Sequence, residues 1–177
     1  MKTTWIAVAW LLIAPAGALA QGARLQLDHL DRLAAKAAET VNIAIDPPML
    51  KLASSFMTGT GDDASIKELL AGLRGIYVKV FEFEHENAYT PDDVNAVRKQ
   101  LARAEWLRLV TVDSKRDREL VEIYSWRERG QSGGLAVLVA EPTELTVVNI
   151  VGPIDLEKLG KLQGQFGIPR VPAGAGR

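Results

Sequence analysis

Cysteine is absent from the 177-residue sequence, and its absence excludes two features. No disulfide can form, so packing alone has to stabilise the fold, even in an oxidising compartment. No lipid anchor of the lipoprotein type can be attached either. That anchor needs a cysteine at the processing site, and the residue at the expected site is Gln21.

The chain also lacks a strong excess of one charge and a second long apolar run. After Ala20 it carries 20 basic and 22 acidic side chains, and the two signs are interspersed. This excludes the strongly basic patch that is typical of nucleic-acid-binding proteins. No stretch of about 18 apolar residues follows Ala20, so no internal membrane span is predicted. The glycine-containing segment 58–63 (TGTGDD) has neither the spacing nor the lysine of a phosphate-binding loop.

The first 20 residues, in contrast, have the layout of a secretory signal peptide. Lys2 gives a charged start, an apolar run of about ten residues extends from Trp5 to Ala14, and the small residues Ala18 and Ala20 precede the expected cleavage site. The run is too short for a membrane span, which needs about 20 apolar residues. Cleavage after Ala20 is therefore predicted to release an exported, soluble protein into the periplasm or the medium.

The remaining residues predict a single α+β domain over 21–169 and a disordered, proline- and glycine-rich tail over 170–177. Apolar residues at helical spacing, starting with the segment from Leu27 to Ala37, predict about five short helices. The pairs Asp46-Pro47 and Thr90-Pro91 have the residue types that begin helices. The fold predicted is a mainly antiparallel sheet packed with these helices.

Four strands joined by short turns predict an antiparallel meander in the C-terminal half: 107–113, 120–127, 135–140 and 145–151. One or two earlier strands, 76–84 and 40–45, are expected to join the same sheet. In strand 76–84 the apolar residues change parity between Val80 and Phe81. That change indicates either a strand covered on both faces or a bulge.

Three segments resemble a bacterial exported family catalogued as domain of unknown function 4252. They are LRGIYVKVFEFE at 73–84, EWLRLVTVDS at 105–114 and GGLAVLVAEPTELTVVNIVGPIDLEKLGKL at 133–162. The likeness covers most of the chain after Ala20 and rests on the order of apolar strands and turns. It implies export and a single domain, and it transfers no catalytic residue. Lipid-anchored members of the family differ from this chain by carrying the anchoring cysteine.

The segment FEFEHEN, residues 81–87, concentrates groups that could do chemistry. In a continued strand Glu82, Glu84 and Glu86 share one face and His85 points to the other, so this segment alone cannot form a four-ligand metal site. We interpret it as a solvated strand face.

The alternative is a hydrolase or metal-dependent enzyme that uses Glu84 and His85, or His29 in the first helix. A hydrolase would need a nucleophile beside its base, yet no nucleophile elbow surrounds Ser54-Ser55. Two further features have a structural and a binding interpretation. Trp106 and Trp126 can close a core or form a carbohydrate or peptide platform. The basic turn 115–118 can be a solvated hairpin tip or can meet an anionic surface.

Taken together, the sequence predicts a non-enzymatic binding module of the cell envelope, with a protein, peptide or envelope component as its partner. Strand 135–140 is apolar at both parities, and its neighbour 145–151 has apolar residues on both sides. Two such strands can leave an apolar patch exposed. The candidate partner residues are Val137, Leu138, Val148 and Ile150. No catalytic, cofactor-binding or metal-binding residue is assigned, and the oligomeric state stays open.

Overall fold

The computed structural model describes residues 22–56, 67, 70–128 and 130–154. The chain first forms a 3-10 helix, Asp28–Ala35. Two α-helices are described along their whole length, α1 (Pro47–Ser55) and α2 (Pro91–Leu101), and the described residues 67 and 70–72 are also helical. The six strands are β1 (Glu39–Ile45), β2 (Gly75–Glu82), β3 (Trp106–Ser114), β4 (Glu119–Glu128), β5 (Gln131–Glu141) and β6 (Glu144–Val151).

All six strands belong to one antiparallel sheet in the order β1-β2-β6-β5-β4-β3. The predicted C-terminal meander and both earlier strands are confirmed. The first predicted helix is a 3-10 helix, and the described residues hold fewer helices than the five predicted. Most of the helix expected after Asp62 lies outside the described residues. The helix expected from Asp155, the predicted signal peptide and the predicted tail lie wholly outside them.

Both predicted helix starts are present. The Asp46 carboxylate accepts a hydrogen bond from the Met49 N–H at 3.0 Å, with Pro47 at the first helical position. At α2, the Asp93 carboxylate accepts from both the N–H and the hydroxyl of Thr90 at 2.8 Å. These contacts satisfy backbone donors that a helix start otherwise leaves unpaired.

The first face of the sheet carries the main core. The 3-10 helix and α2 pack their apolar side chains against this face together with the N-terminal segment 22–27. The largest fully buried apolar side chains at this interface are Phe81, Leu30, Leu33, Leu138, Leu145, Val97 and Val147. This side of the sheet is closed by the chain itself.

A second, smaller cluster lies on the opposite face, at the end of the sheet where β2 begins. Leu50 of α1, Leu73, Leu135 and Ile154 are its buried members. Gly152 directs the chain onto this face: its φ is +134°, and an added Cβ would lie 2.8 Å from the Gly72 carbonyl oxygen. The Ile154 N–H then donates to the Ser132 carbonyl at 3.2 Å, which holds Ile154 against the sheet.

Strand β2 resolves the change of parity noted in its sequence. Its register with β1 and β6 runs without a shift through Val80 and Phe81, so no bulge lies there. Phe81 is buried on the first face, and Val80 is half-buried on the second. The strand therefore has apolar residues on both faces. The register shifts in the described sheet lie instead in β3, between Arg108 and Val110, and in β5, where Gly133 is left out as Trp126 and Arg127 pair with Gly134 and Ser132.

Candidate interaction surface

The second face of the sheet is lined by three transverse rows of side chains, each crossing all six strands. They follow from the strand register, because directly paired residues in an antiparallel sheet face the same side. The valine row consists of Val41, Val80, Thr146, Val139, Val121 and Val112. The middle row consists of Ile43, Val78, Val148, Val137, Ile123 and Val110. The end row consists of Ile45, Ile76, Ile150, Leu135, Ser125 and Leu107.

None of these side chains is charged, and their exposure increases toward the two edges of the sheet. The end row packs against Leu50, Leu73 and Ile154. On β1, Val41 is 36% and Ile43 38% exposed. Large exposed apolar residues gathered on one surface usually mark an interaction site. The two edges are therefore the accessible parts of this face.

The β1 edge continues into an apolar stripe on α1. Met49 is 53%, Leu52 51% and Phe56, just after the helix, 79% exposed. These positions recur at helical spacing, so they share one side of the helix, whereas Leu50 points to the sheet and is buried. Together with Val41 and Ile43 they form what we call the β1–α1 patch.

A row of glutamates borders the valine row at the opposite end from the small cluster. Glu39 pairs with Glu82, Glu82 with Glu144, and Glu144 with Glu141. Glu119 begins β4 at the same end. Burial raises the pKa of Glu141, and the charges of Glu144 and Glu119 raise that pKa further. We call these five residues the acidic row.

Sequence reasoning missed the acidic row, although a signal was present. Each of these glutamates begins or ends a strand, so their shared position becomes visible only when the strand order and register are known. The sequence singled out Glu82, Glu84 and Glu86 instead. The structure shows that β2 ends at Glu82, so the predicted alternation does not continue to Glu84 and Glu86.

The other groups of the FEFEHEN segment are dispersed. Glu86 binds Arg118 through two contacts of 2.5 and 2.8 Å, and this hydrogen bonding lowers the pKa of Glu86. Glu84 and His85 line an open depression beside Lys36 and Phe83. No group of three or more histidine, aspartate or glutamate side chains suited to a metal ion occurs in the described ranges.

The remaining enzyme candidates are not brought together with that depression. His29 lies exposed on the 3-10 helix. The hydroxyls of Ser54 and Ser55 donate to the carbonyls of Lys51 and Leu52 in their own helix. The segment 58–63 lies outside the described residues.

The four predicted partner residues fall on different faces. Val137 and Val148 lie in the middle row and Ile150 in the end row, all partly buried on the second face. Leu138 is fully buried in the core of the first face. Leu138 therefore does not share a surface with the other three.

Trp106 and Trp126 meet edge to face at 5.3 Å, and each is only 7% exposed. Arg103 stacks on the Trp126 ring at 4.8 Å. In the basic turn, Lys115 pairs with Asp113 at 2.8 Å and Arg116 with Asp117 at 3.1 Å. The tryptophans thus belong to the core, and the turn carries its own counter-charges.

Ion pairs with one buried and one partly exposed partner connect the helices to each other and to the first face, and no sequence pattern predicted them. Arg98 of α2 makes two hydrogen bonds to the Glu122 carboxylate, at 2.8 and 2.9 Å, and Tyr124 donates to it at 3.2 Å. Burial raises the pKa of Tyr124, and the adjacent Glu122 charge adds to this. In the same interface Lys79 pairs with Asp31, and Arg32 pairs with Asp93. Arg108 also lies 3.7 Å from the Glu122 carboxylate.

No helix in the described part of the chain is long and apolar enough to cross a membrane. No curated protein and no solved structure matches the chain. A family model does match, over residues 35–162, and its description is Domain of unknown function (DUF4252). That match covers well over half of the sequence and includes all six strands, so the chain belongs to this family.

Proposed function

We propose that the protein is an exported, non-enzymatic binding module of the cell envelope. Its partner is a protein or peptide segment that carries apolar side chains flanked by basic ones. The partner binds at the β1 side of the second sheet face. There the middle row, which contains Val148 and Val137, ends at Ile43, and the valine row ends at Val41. Export is part of the proposal and rests on the signal-peptide layout of residues 1–20.

The observation that carries the proposal is the β1–α1 patch. Five large apolar side chains are exposed on two consecutive elements, and Phe56 is 79% exposed. Removing such side chains from water is the main favourable term in protein association, at about 25 cal/mol per Å² of apolar area. An aromatic residue in such a patch is the kind that dominates binding energy.

The acidic row supports the basic character of the partner. Glu39 and Glu82 are exposed and lie next to Val41 and Val80 on the same face of the sheet. Opposite charges across an interface mainly accelerate association and select the partner. Binding is therefore expected to weaken as the salt concentration rises, because exposed charges are screened.

Matched substitutions on β1 and α1 test the proposal. Val41→Lys and Leu52→Lys place a cation in the patch, whereas Thr40→Lys and Ser55→Lys place the same cation at exposed neighbours on the same elements. Each purified variant is used as bait in an envelope extract of its own cells, at low and high salt. We expect one captured protein to be lost with the two patch variants and retained with both controls.

Two results would contradict the proposal. Capture that falls equally for Val41→Lys and Thr40→Lys would show that any cation on this strand interferes, and that the patch is not recognised. Salt, or the double change of Glu39 and Glu82 to glutamine, should weaken binding. If the captured protein binds equally well in both cases, the partner is not recognised through basic side chains.

A further inference from the structure

Strand β3 forms the other edge of the sheet, and its outer side is unpaired among the described residues. The strand has nine residues, about 30 Å in extended form. Every residue from Leu107 to Asp113 is exposed, including Leu107 at 48% and Val112 at 46%. A long, apolar edge of this kind readily pairs with another strand. The edge is therefore a candidate for pairing with a second strand.

The side chains of β3 carry a charge pattern that is complementary to itself. Asp113 also pairs with Lys115 and Arg108 lies near Glu122 within the chain, yet both residues stay exposed at the edge. Val110 and Val112 point to the second face, since they pair with Ile123 and Val121. Arg108, Thr111 and Asp113 point to the first face. Arg108 and Asp113 carry opposite charges and lie on either side of Thr111.

We propose that two copies of the chain form a twofold-symmetric dimer by antiparallel pairing of their β3 strands, centred on Thr111. In this register Thr111 faces Thr111 of the second copy, and Val110 faces Val112. Asp113 lies opposite the bulge that Arg108 and Leu109 form, so the long Arg108 side chain reaches it. Symmetry repeats each contact, which gives two cross-strand ion pairs.

Neighbouring registers lose this complementarity. Centring the pair on Val110 places Asp113 opposite Trp106 of the second copy, and centring it on Val112 places Arg108 opposite Lys115, a like charge. The β1 edge offers no equivalent, because self-pairing around Asn42 places Glu39 opposite Ile45. Charge complementarity therefore selects β3 and a single register.

Dimerisation would join the two sheets into one of twelve strands. The valine and middle rows of both copies would then run continuously across the junction, since Val110 and Val112 end those rows. The β1–α1 patches would lie at the two far edges. This dimer does not depend on the proposed partner, which binds at the other end of the sheet.

Engineered cysteines test the register directly, because the natural chain has no cysteine. Directly opposed residues in an antiparallel pair have Cα atoms about 4.5–5.5 Å apart, within the range that a disulfide spans. Thr111→Cys should form a disulfide-linked dimer under mild oxidation. Thr40→Cys, an exposed threonine on the β1 edge, is the matched control and should stay monomeric on a denaturing gel.

Charge reversal tests the ion pairs. Arg108→Asp and Asp113→Arg each place like charges opposite one another, so each should raise the dimer dissociation constant about tenfold in sedimentation experiments. Mixing the two variants should restore association, because the heterodimer again pairs Asp with Arg at both positions. Effects on folding within one chain cannot produce that recovery.

The proposal is overturned if the purified protein stays monomeric at all concentrations, or if Thr111→Cys and Thr40→Cys cross-link at the same rate. It is also overturned if the mixed variants associate no better than either alone. Arg108 lies 3.7 Å from the buried Glu122, so the fold of Arg108→Asp is checked by circular dichroism. If that variant unfolds, the comparison of Thr111→Cys with Thr40→Cys still tests the dimer. Neither assay involves the envelope partner.

Discussion

A single carboxylate, Glu122, is the most consequential buried charge on the first face. Its side chain is 2% exposed and is neutralised mainly by Arg98. Removing one member of a fully buried ion pair costs about 3 kcal/mol or more. Arg98 is 38% exposed, and Glu122 keeps the Tyr124 hydroxyl and Arg108 as partners, so the cost here is smaller. We therefore expect Arg98→Met to lower the free energy of unfolding by about 1.5–2 kcal/mol in urea denaturation.

The neighbouring Lys99 supplies the control for this change. It lies on the same helix but is exposed, so Lys99→Met should change the free energy of unfolding by less than about 0.5 kcal/mol. Equal effects of the two variants would mean that the Arg98–Glu122 pair contributes no more than a surface charge.

Glu141 in the acidic row gives a pH-dependent prediction. Its pKa is raised in the folded protein, so the folded state binds the proton more tightly than the unfolded state does. Stability is therefore lost as the pH rises through the unfolded and then the folded pKa. Glu141→Gln removes the repulsion and should raise the melting temperature at pH 7. The gain should shrink toward acidic pH, where the carboxyl of the natural protein is protonated.

Glu84 provides the comparison for Glu141, because it is exposed in the turn after β2 and lies outside the acidic row. Glu84→Gln should leave the melting temperature nearly unchanged across the same pH range. A gain from Glu141→Gln that is constant with pH would contradict an electrostatic origin.

At the scale of elements, the sequence predicts the strands well and one helix type wrongly. Alternating apolar residues correctly predicted the four meander strands. The pair Thr90-Pro91 correctly predicted the start of α2. The first helix is a 3-10 helix whose buried residues Leu30 and Leu33, together with Leu27 at its N-cap, recur every three residues. That spacing matches the three residues per turn of a 3-10 helix, in which i and i+3 lie above one another.

Asn149 of β6 holds the N-terminal segment in place. Its side chain is fully buried; its Oδ1 accepts from the Leu25 N–H and its Nδ2 donates to the Ala23 carbonyl, both at 2.9 Å. Asn149→Leu leaves these buried groups without partners, at a cost of about 2 kcal/mol or more. We expect a lower melting temperature and faster hydrogen exchange of the Leu25 amide.

Asn95→Leu serves as the matched change on the exposed side of α2 and should have little effect on either measurement. If Asn149→Leu destabilises the protein without accelerating exchange at Leu25, its role lies in the sheet and not in holding residues 22–27. The sequence could not predict this role, since Asn149 looked like a polar interruption in an apolar strand.

At the scale of the whole molecule, the first prediction concerns export. Small residues at Ala18 and Ala20 meet the requirement for cleavage, so the mature protein should begin at Gln21. N-terminal sequencing of the protein from fractionated cells, after washing of the membranes, measures this. A product that retains Met1 and stays with the membranes would contradict it, and Ala20→Arg should block cleavage as a control.

The order of strands was beyond the reach of sequence patterns. Short turns predict neighbours within the meander, but nothing in Gly75–Glu82 identifies β6 as its partner. Both candidate edges and the acidic row depend on that pairing, which is why the sequence placed the partner surface on Val137, Leu138, Val148 and Ile150 rather than at the ends of the rows. Leu138 shows the limit most directly, because parity alone cannot say which face the helices cover.

The pairing of β2 with β6 has a consequence for how the chain acquires its fold. The paired residues of β2 and β6 are 62 to 76 positions apart in sequence, whereas β3 to β6 can form as successive local hairpins. Contacts of such long range form late and slow the folding of β proteins. A chain that emerges N-terminus first thus presents the valines and isoleucines of β1 and β2 before their docking strand exists. During that interval the apolar side chains of β1 and β2 are exposed and prone to aggregation, and β6, the last of the described strands, ends this exposure when it pairs with β2.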